Sequence, residues 1–311
     1  MNDEGHVLVI GAAGLDVKAM PYSETLAPGS STPGRIRNSV GGVARNIAEN
    51  LARLETPTVL LSAVGDDHPG RRVLDQTAAS GVNVSYVQVV QGARTGTWMG
   101  LINPDGQLRL AVDDYAVMEH ITPRFLYDRR KLFAEAMMVV VDANLTPATM
   151  ESLFKLAARY ELPVCADPTS ASLAMCLCNY LNQLYMITPN VREASALCGL
   201  DVTSEDRDTA HRAARQLVNM GAWIAVVTLG ATGLVYATSD RSGYIPALNI
   251  EVVDSTGAGD AFSAGVIFGI LNEIPLDEAM RLGVSAAGLT LKSPETVVPD
   301  LSVELLYSQL V

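Results

Sequence analysis

The chain is short of positive charge: 22 Lys and Arg stand against 34 Asp and Glu, a formal net charge of −12. That balance repels a phosphate backbone, which excludes general nucleic-acid binding and attachment to an anionic membrane face. An anionic substrate would have to be met locally, by backbone N–H groups, a few basic side chains and a divalent cation. Long apolar runs are missing too. None approaches the ~18 residues that span a bilayer. The short charged start leads straight into His6-Val7-Leu8-Val9-Ile10, with nothing like a signal peptide. A cytoplasmic location is expected. There are only four cysteines, Cys165, Cys176, Cys178 and Cys198. The spacing of Cys176 and Cys178 is not that of a zinc site, so reduced thiols in the core are expected. Repeats, low-complexity tracts and linkers are absent. No G-x-G-x-x-G follows the first strand, since Gly11-Ala12-Ala13-Gly14 lacks the spacing, which argues against a dinucleotide-dependent dehydrogenase.

What is present is alternation. A hydrophobic fraction of 49% with 18% charged residues supports a sizeable core. Short apolar runs recur at His6–Ile10, Thr58–Ala63, Met137–Val141, Pro163–Ala166, Tyr185–Thr188 and Trp223–Leu229. Runs apolar on both faces suit a parallel sheet buried between helices. Between them, Ala44, Ile47, Ala48, Leu51 and Ala52 follow helical spacing, with Arg45, Glu49 and Arg53 on the other side. Ser204–Met220, with Ser204 as N-cap, and Ala258–Leu271 read as helices as well. The pattern predicts one α/β domain over 1–311, with a doubly wound, mainly parallel central sheet flanked by helices. Two stretches break it. Leu15–Val40 is rich in Pro, Gly and Ser. Thr97–Ile102 and Leu108–Val112 are strand candidates joined by the turn Asn103-Pro104-Asp105-Gly106. Lid segments of about 16–40 and 95–114, forming a small antiparallel β flap, are expected beside the main sheet.

Chemistry concentrates at four strand ends. Ile250–Val253 reads as a strand, Asp254–Gly257 as a tight turn and Ala258 onward as a helix. Gly257 and Gly259 let backbone amides approach a phosphate at a helix N-terminus. Asp260 falls in the first helical turn, where a carboxylate can take a proton from an attacking hydroxyl; a helix-capping Asp is the competing explanation. Gly41 and Gly42 open a second helix carrying Asn46, which offers a donor and an acceptor to a polyhydroxylated ligand. Asp16 follows the first strand and can accept from two vicinal hydroxyls. Asn190 and Glu193 lie three apart, suited to a water-coordinated Mg²⁺ or equally to a capping box. Thr228-Leu229-Gly230-Ala231-Thr232-Gly233 forms a turn whose amides can meet nucleotide phosphates.

The run Asp254–Asp260, with Gly41-Gly42 and Asn46, Asn190 and Glu193, and Thr228–Gly233 in that order, resembles the ribokinase (PfkB) family of carbohydrate and nucleoside kinases over essentially the whole chain. The resemblance implies ATP and Mg²⁺, with Asp260 as catalytic base and Gly257, Ala258 and Gly259 as an anion hole. It implies a sugar site of Asp16, Gly41, Gly42 and Asn46, joined by Asn144 and the lid residue Asp114. Nucleotide contacts would fall to Asn190, Thr228, Gly230, Gly233, Thr256, Gly257 and Gly259, and Mg²⁺ to Glu193 through water. Asp254 and Ser293 would hold a monovalent cation such as K⁺, and the lid would make a homodimer contact. Arg35, Thr97 and Asp114 are candidates for partners of a base. Pro33-Gly34-Arg35-Ile36 with Val40–Leu51, Leu61–Gly65 and Asp142-Ala143-Asn144 resemble the pseudouridine kinase branch, which implies transfer to a 5′-hydroxyl. Gly14 departs from the pattern, standing where many members carry Asn. Rival readings are a kinase for ribose, another nucleoside or a related sugar, and a non-catalytic nucleoside sensor on the same scaffold.

Overall fold

The structure, a computed structural model, describes residues 5–23, 26, 29–103 and 108–310. The apolar runs pair into an eight-stranded sheet. From one edge its order is Ser242–Ile245, Leu234–Ala237, Ile224–Thr228, Met186–Ile187, Val164–Asp167, Ala136–Asp142, His6–Ile10 and Thr58–Leu61. The last six run parallel, and Leu234–Ala237 is antiparallel to both its neighbours. Strand period divides the residues between two cores. Leu8, Ile10, Val139, Val141 and Val227 pack on one side with Leu153 and Phe154 of helix Pro147–Arg159 and Leu217 of helix Arg207–Asn219. Val7, Val9, Met138, Val140 and Val226 pack on the other with Ile47 and Leu51 of helix Val43–Arg53 and Phe262 and Val266 of helix Ala258–Leu271. This is the doubly wound arrangement, and it puts every parallel strand's carboxyl end on one edge.

Over that edge stands a four-stranded sheet of Gly34–Gly41, Gly14–Pro21, Gly96–Ile102 and Leu108–Asp114, in that order. Its outer pairs are antiparallel and its central pair parallel. The expected flap is therefore a lid sheet built from both irregular segments. The turn expected at Asn103–Gly106 lies largely outside the described residues.

Three local expectations change. Ile250–Val253 is not a strand: the sheet already ends at Ser242–Ile245, and Val253 N–H instead donates to Leu291 O at 2.8 Å. Asp206, not Ser204, caps helix Arg207–Asn219, its side chain accepting from Thr209 N–H. Arg45 and Glu49, read as the helix's polar side, are buried. Helix Ala258–Leu271 packs beside theirs, and Arg45 Nε donates to Thr77 Oγ1 of helix His68–Ala79 at 3.1 Å, so their face is closed from water.

Candidate active site

Between lid and sheet edge lies a cavity of about 340 Å³. Asp16, Gly42, Asn46, Asn144, Thr256, Gly257 and Asp260 of the sequence candidates line it. So do Trp98, Asp113, Tyr115, Thr169 and Ser170, which sequence reasoning did not name.

Asp260 lies in the first turn of helix Ala258–Leu271, but its carboxylate does not cap that helix. It accepts from Asn46 Nδ2 at 2.8 Å across the gap between two helix N-termini. Asn46 Oδ1 accepts from Arg45 Nη1 at 3.0 Å, which fixes the amide's orientation so that its NH₂ faces Asp260. Arg45 is ion-paired in turn to Glu49, and Glu49 Oε1 accepts from Arg53 Nη2 at 2.7 Å. Burial lowers the Arg45 guanidinium to about 10, which leaves it charged at neutral pH. Burial raises the Asp260 carboxyl to about 7; the Asn46 bond opposes this and Asp16, Asp142 and Glu193 reinforce it. A carboxylate titrating near neutrality on the wall of a cavity is suited to general-base work.

The helix carrying Asp260 begins at Gly257, whose φ of 84° is left-handed and whose Cβ position would overlap Thr296 O, so only glycine fits. No side chain caps this N-terminus: Ala258 N–H makes a long bond to Ser255 O at 3.4 Å, and the Gly259 amide beside it faces the open end. Space around Gly259 is open.

Asp16 is raised to about 6 by burial, with Lys18 and Arg45 opposing the rise. Gly41 does not line the cavity; it lies behind Asp16, whose carboxylate fills the place of a Cβ. Strand pairing sets Asp16 opposite Trp98, and Trp98 opposite Asp113, in one inward row. Asp114 and Thr97 pair with each other one residue on and therefore point outward. Asp114 Oδ1 accepts instead from Ala116 N–H at 3.1 Å, and exposed Arg35 does not line the cavity either. Gly14 has a physical reason: its Cβ position lies against Gly96 O and 2.9 Å from the Tyr115 ring, which occupies the room an Asn would need.

Asp142 was visible in the sequence only as part of a motif. Fully buried at its strand end, it accepts from Ala12 N–H at 2.7 Å, Ala44 N–H at 3.1 Å and Asn144 N–H at 2.9 Å. It thus ties three cavity-lining segments together. Asp167 ends the neighbouring strand in register with it. Burial, then Glu193 and Asp260, push the Asp167 carboxyl well up.

Asn190 and Glu193 form a capping box: Asn190 N–H and Nδ2 donate to Glu193 Oε2 and Oε1 at 2.9 and 2.6 Å. With both oxygens taken, Glu193 fits a cation reached through water rather than a direct ligand bond. Thr228 N–H donates to Pro189 O at 2.9 Å, so the turn carrying Gly230 and Gly233 adjoins Asn190 at the next strand end. Thr188 Oγ1 lies 3.0 Å from Ser263 Oγ, linking this group to the Asp260 helix.

Asp254 and Ser293 do not fit a bound monovalent cation. Asp254 Oδ2 is ion-paired to Lys18 Nζ at 2.7 Å, and Ser293 Oγ accepts from Glu295 N–H at 3.1 Å within its own turn. Among the described residues, no helix is long and apolar enough to cross a membrane.

A family profile described as "pfkB family carbohydrate kinase" matches residues 4–302. The chain is 32% identical over 304 residues to pseudouridine kinase of Escherichia coli (strain K12), covering 97% of this chain and 96% of that one. It is 29% identical to guanosine-inosine kinase of Exiguobacterium acetylicum, covering 95% and 97%. Arabidopsis thaliana ribokinase, solved with ribose and ATP, superposes with a TM-score of 0.82 at 21% identity, covering 97% and 98%; that likeness concerns the fold.

Because Asp260 and Asp16 are raised by burial, the folded protein holds protons that the unfolded chain releases. Their favourable contribution is complete below about pH 4 and is lost as the pH climbs through about 6 for Asp16 and about 7 for Asp260. Asp260→Asn should therefore raise unfolding free energy at pH 8 by about 1–4 kcal/mol. The gain should shrink toward pH 4 in denaturant titrations. An equal or negative difference at both pH values would contradict it.

Proposed function

Since this chain belongs to the pfkB family of carbohydrate kinases and transfers phosphoryl groups to a sugar or nucleoside hydroxyl, we propose that its reaction is ATP-dependent phosphorylation of the 5′-hydroxyl of pseudouridine, in the cytoplasm. The observation that carries this reading is the inward row Asp16–Trp98–Asp113 beside Asn46 and Asp260 in one cavity. Asp16 and Asn46 offer an acceptor and mixed polar groups to ribose hydroxyls. Trp98 offers a face for a ring, and Asp113 an acceptor for ring N–H. Pseudouridine is joined through carbon, so its uracil presents two ring N–H groups where uridine presents one. The E. coli relative named above supports the same acceptor.

Asp260 takes the proton of the 5′-hydroxyl as the O5′–P bond forms and the bond from the γ-phosphorus to ADP breaks. The amide of Gly259, and that of Ala258 on leaving its long bond to Ser255 O, stabilise negative charge on the transferring group; a preorganised donor of this kind is typically worth ~3 kcal/mol. ATP would lie along Asn190 and the Thr228–Gly233 turn, with Thr256 and Gly257 at its phosphate end. Mg²⁺ would be held through water by Glu193 and Asp167 and would neutralise the phosphates.

The lid's outer face supports a homodimer. Ile36, Met99, Leu110 and Val112 lie on that face with Val17 and Ala19, and the first four are each more than half exposed. An apolar sheet face of this kind is covered in water by a like surface on a second copy.

Initial rates of ADP release with pseudouridine, uridine, inosine and ribose test the acceptor. Pseudouridine should exceed each rival in kcat/KM by about tenfold or more. Preference for ribose or uridine would sink it. For the dimer, light scattering should give twice the chain mass for the parent and a monomer for Leu110→Asp with Val112→Asp. A monomeric parent would overturn that assignment.

A further inference from the structure

Where the sequence led us to expect a metal cation, the structure places an ammonium. Lys18 sits on the inward face of lid strand Gly14–Pro21, two residues along from Asp16. It is only 2% exposed, an unusual place for a lysine. Its ammonium reaches across 236 positions of sequence to Asp254 Oδ2 at 2.7 Å. The other oxygen of the same carboxylate, Oδ1, accepts from Thr256 N–H at 2.9 Å. Lys18 therefore fixes the carboxylate that fixes the turn leading into Gly257 and the first turn of the Asp260 helix.

A bound monovalent cation is one way to set a positive charge against such a carboxylate. Here the chain supplies one of the same unit charge. We propose that the Lys18 ammonium takes the place of a monovalent metal cation on Asp254, so that phosphoryl transfer by this protein does not depend on added K⁺. Lys18 is a positioning residue: it acts on the transferring group through Asp254 and the Thr256 amide. It also faces Asp16, whose ionised form it favours. Because it is carried by the lid, the charge reaches Asp254 together with the strand that carries Asp16. The inference rests on the phosphoryl-transfer reading of the site and not on which acceptor is used.

The test compares the parent, Lys18→Met and Lys18→Arg in choline chloride and in KCl at equal ionic strength. Both turnover and thermal unfolding are measured. Parent kcat should agree within about twofold between the two salts. Lys18→Met should lose about tenfold or more in choline, the usual scale for removing a group that orients a site. KCl or ammonium chloride should restore most of that loss, and KCl should raise the unfolding temperature of Lys18→Met but not of the parent. Lys18→Arg should keep most of the activity in choline. A parent activated several-fold by K⁺ would overturn the proposal. So would a folded Lys18→Met equally active in both salts, or one that no monovalent cation rescues, since Lys18 would then be only a structural tie. If Lys18→Met does not fold, the parent and Lys18→Arg arms still decide. Absence of any kinase activity in the parent would sink the functional reading instead, while the unfolding temperatures still report on Lys18.

Discussion

Five carboxylates, Asp16, Asp142, Asp167, Glu193 and Asp260, are buried where the lid meets the carboxyl edge of the main sheet, and each is raised above its ordinary range with burial as the largest cause. Like charges at that density repel, and a low-dielectric setting strengthens the repulsion. The surrounding architecture answers it in several ways. Backbone amides converge on Asp142, Asn46 donates to Asp260, and Lys18 and Arg45 bring two buried cations. What is left uncompensated is a site that favours protons and cations, which suits a protein that must accept a hydroxyl proton and hold a metal-bound nucleotide.

Two helix N-termini meet across this edge, and their meeting makes the geometry. Helix Val43–Arg53 brings Asn46, and helix Ala258–Leu271 brings Asp260. Arg45 behind Asn46 decides which way the amide faces, so the base is oriented by a chain running from Arg53 through Glu49 and Arg45. The lid contributes from the other side, through a row of side chains that strand period selects.

The sequence showed much of this and hid a definite part. Strand-end turns were legible because glycine, Asp and Asn at such places have few other uses, and Asp260, Asn46, Asp16 and Thr256 do line one cavity. The lid strands were legible, but their register was not. Reading Asp114 and Thr97 instead of Asp113 and Trp98 is a slip of one residue, and one residue inverts a strand's faces. Arg45 and Glu49 looked like a solvated helix face because helical spacing cannot show that a second helix covers it. Lys18 was invisible for another reason: its partner lies at the far end of the chain, and only the fold of the lid brings them together.

The central claim is that Asp260 is the base and that burial tunes it to work near neutrality. The most direct measurement is the pH dependence of kcat/KM for the phosphoryl acceptor, taken on the parent and on Asp260→Asn from pH 5 to 9. The account predicts a parent profile that rises with an apparent pKa of about 7. It predicts an Asp260→Asn profile lowered by about a thousandfold and lacking that rise. A parent profile that is flat across the range, or an Asp260→Asn variant as active as the parent, would contradict it.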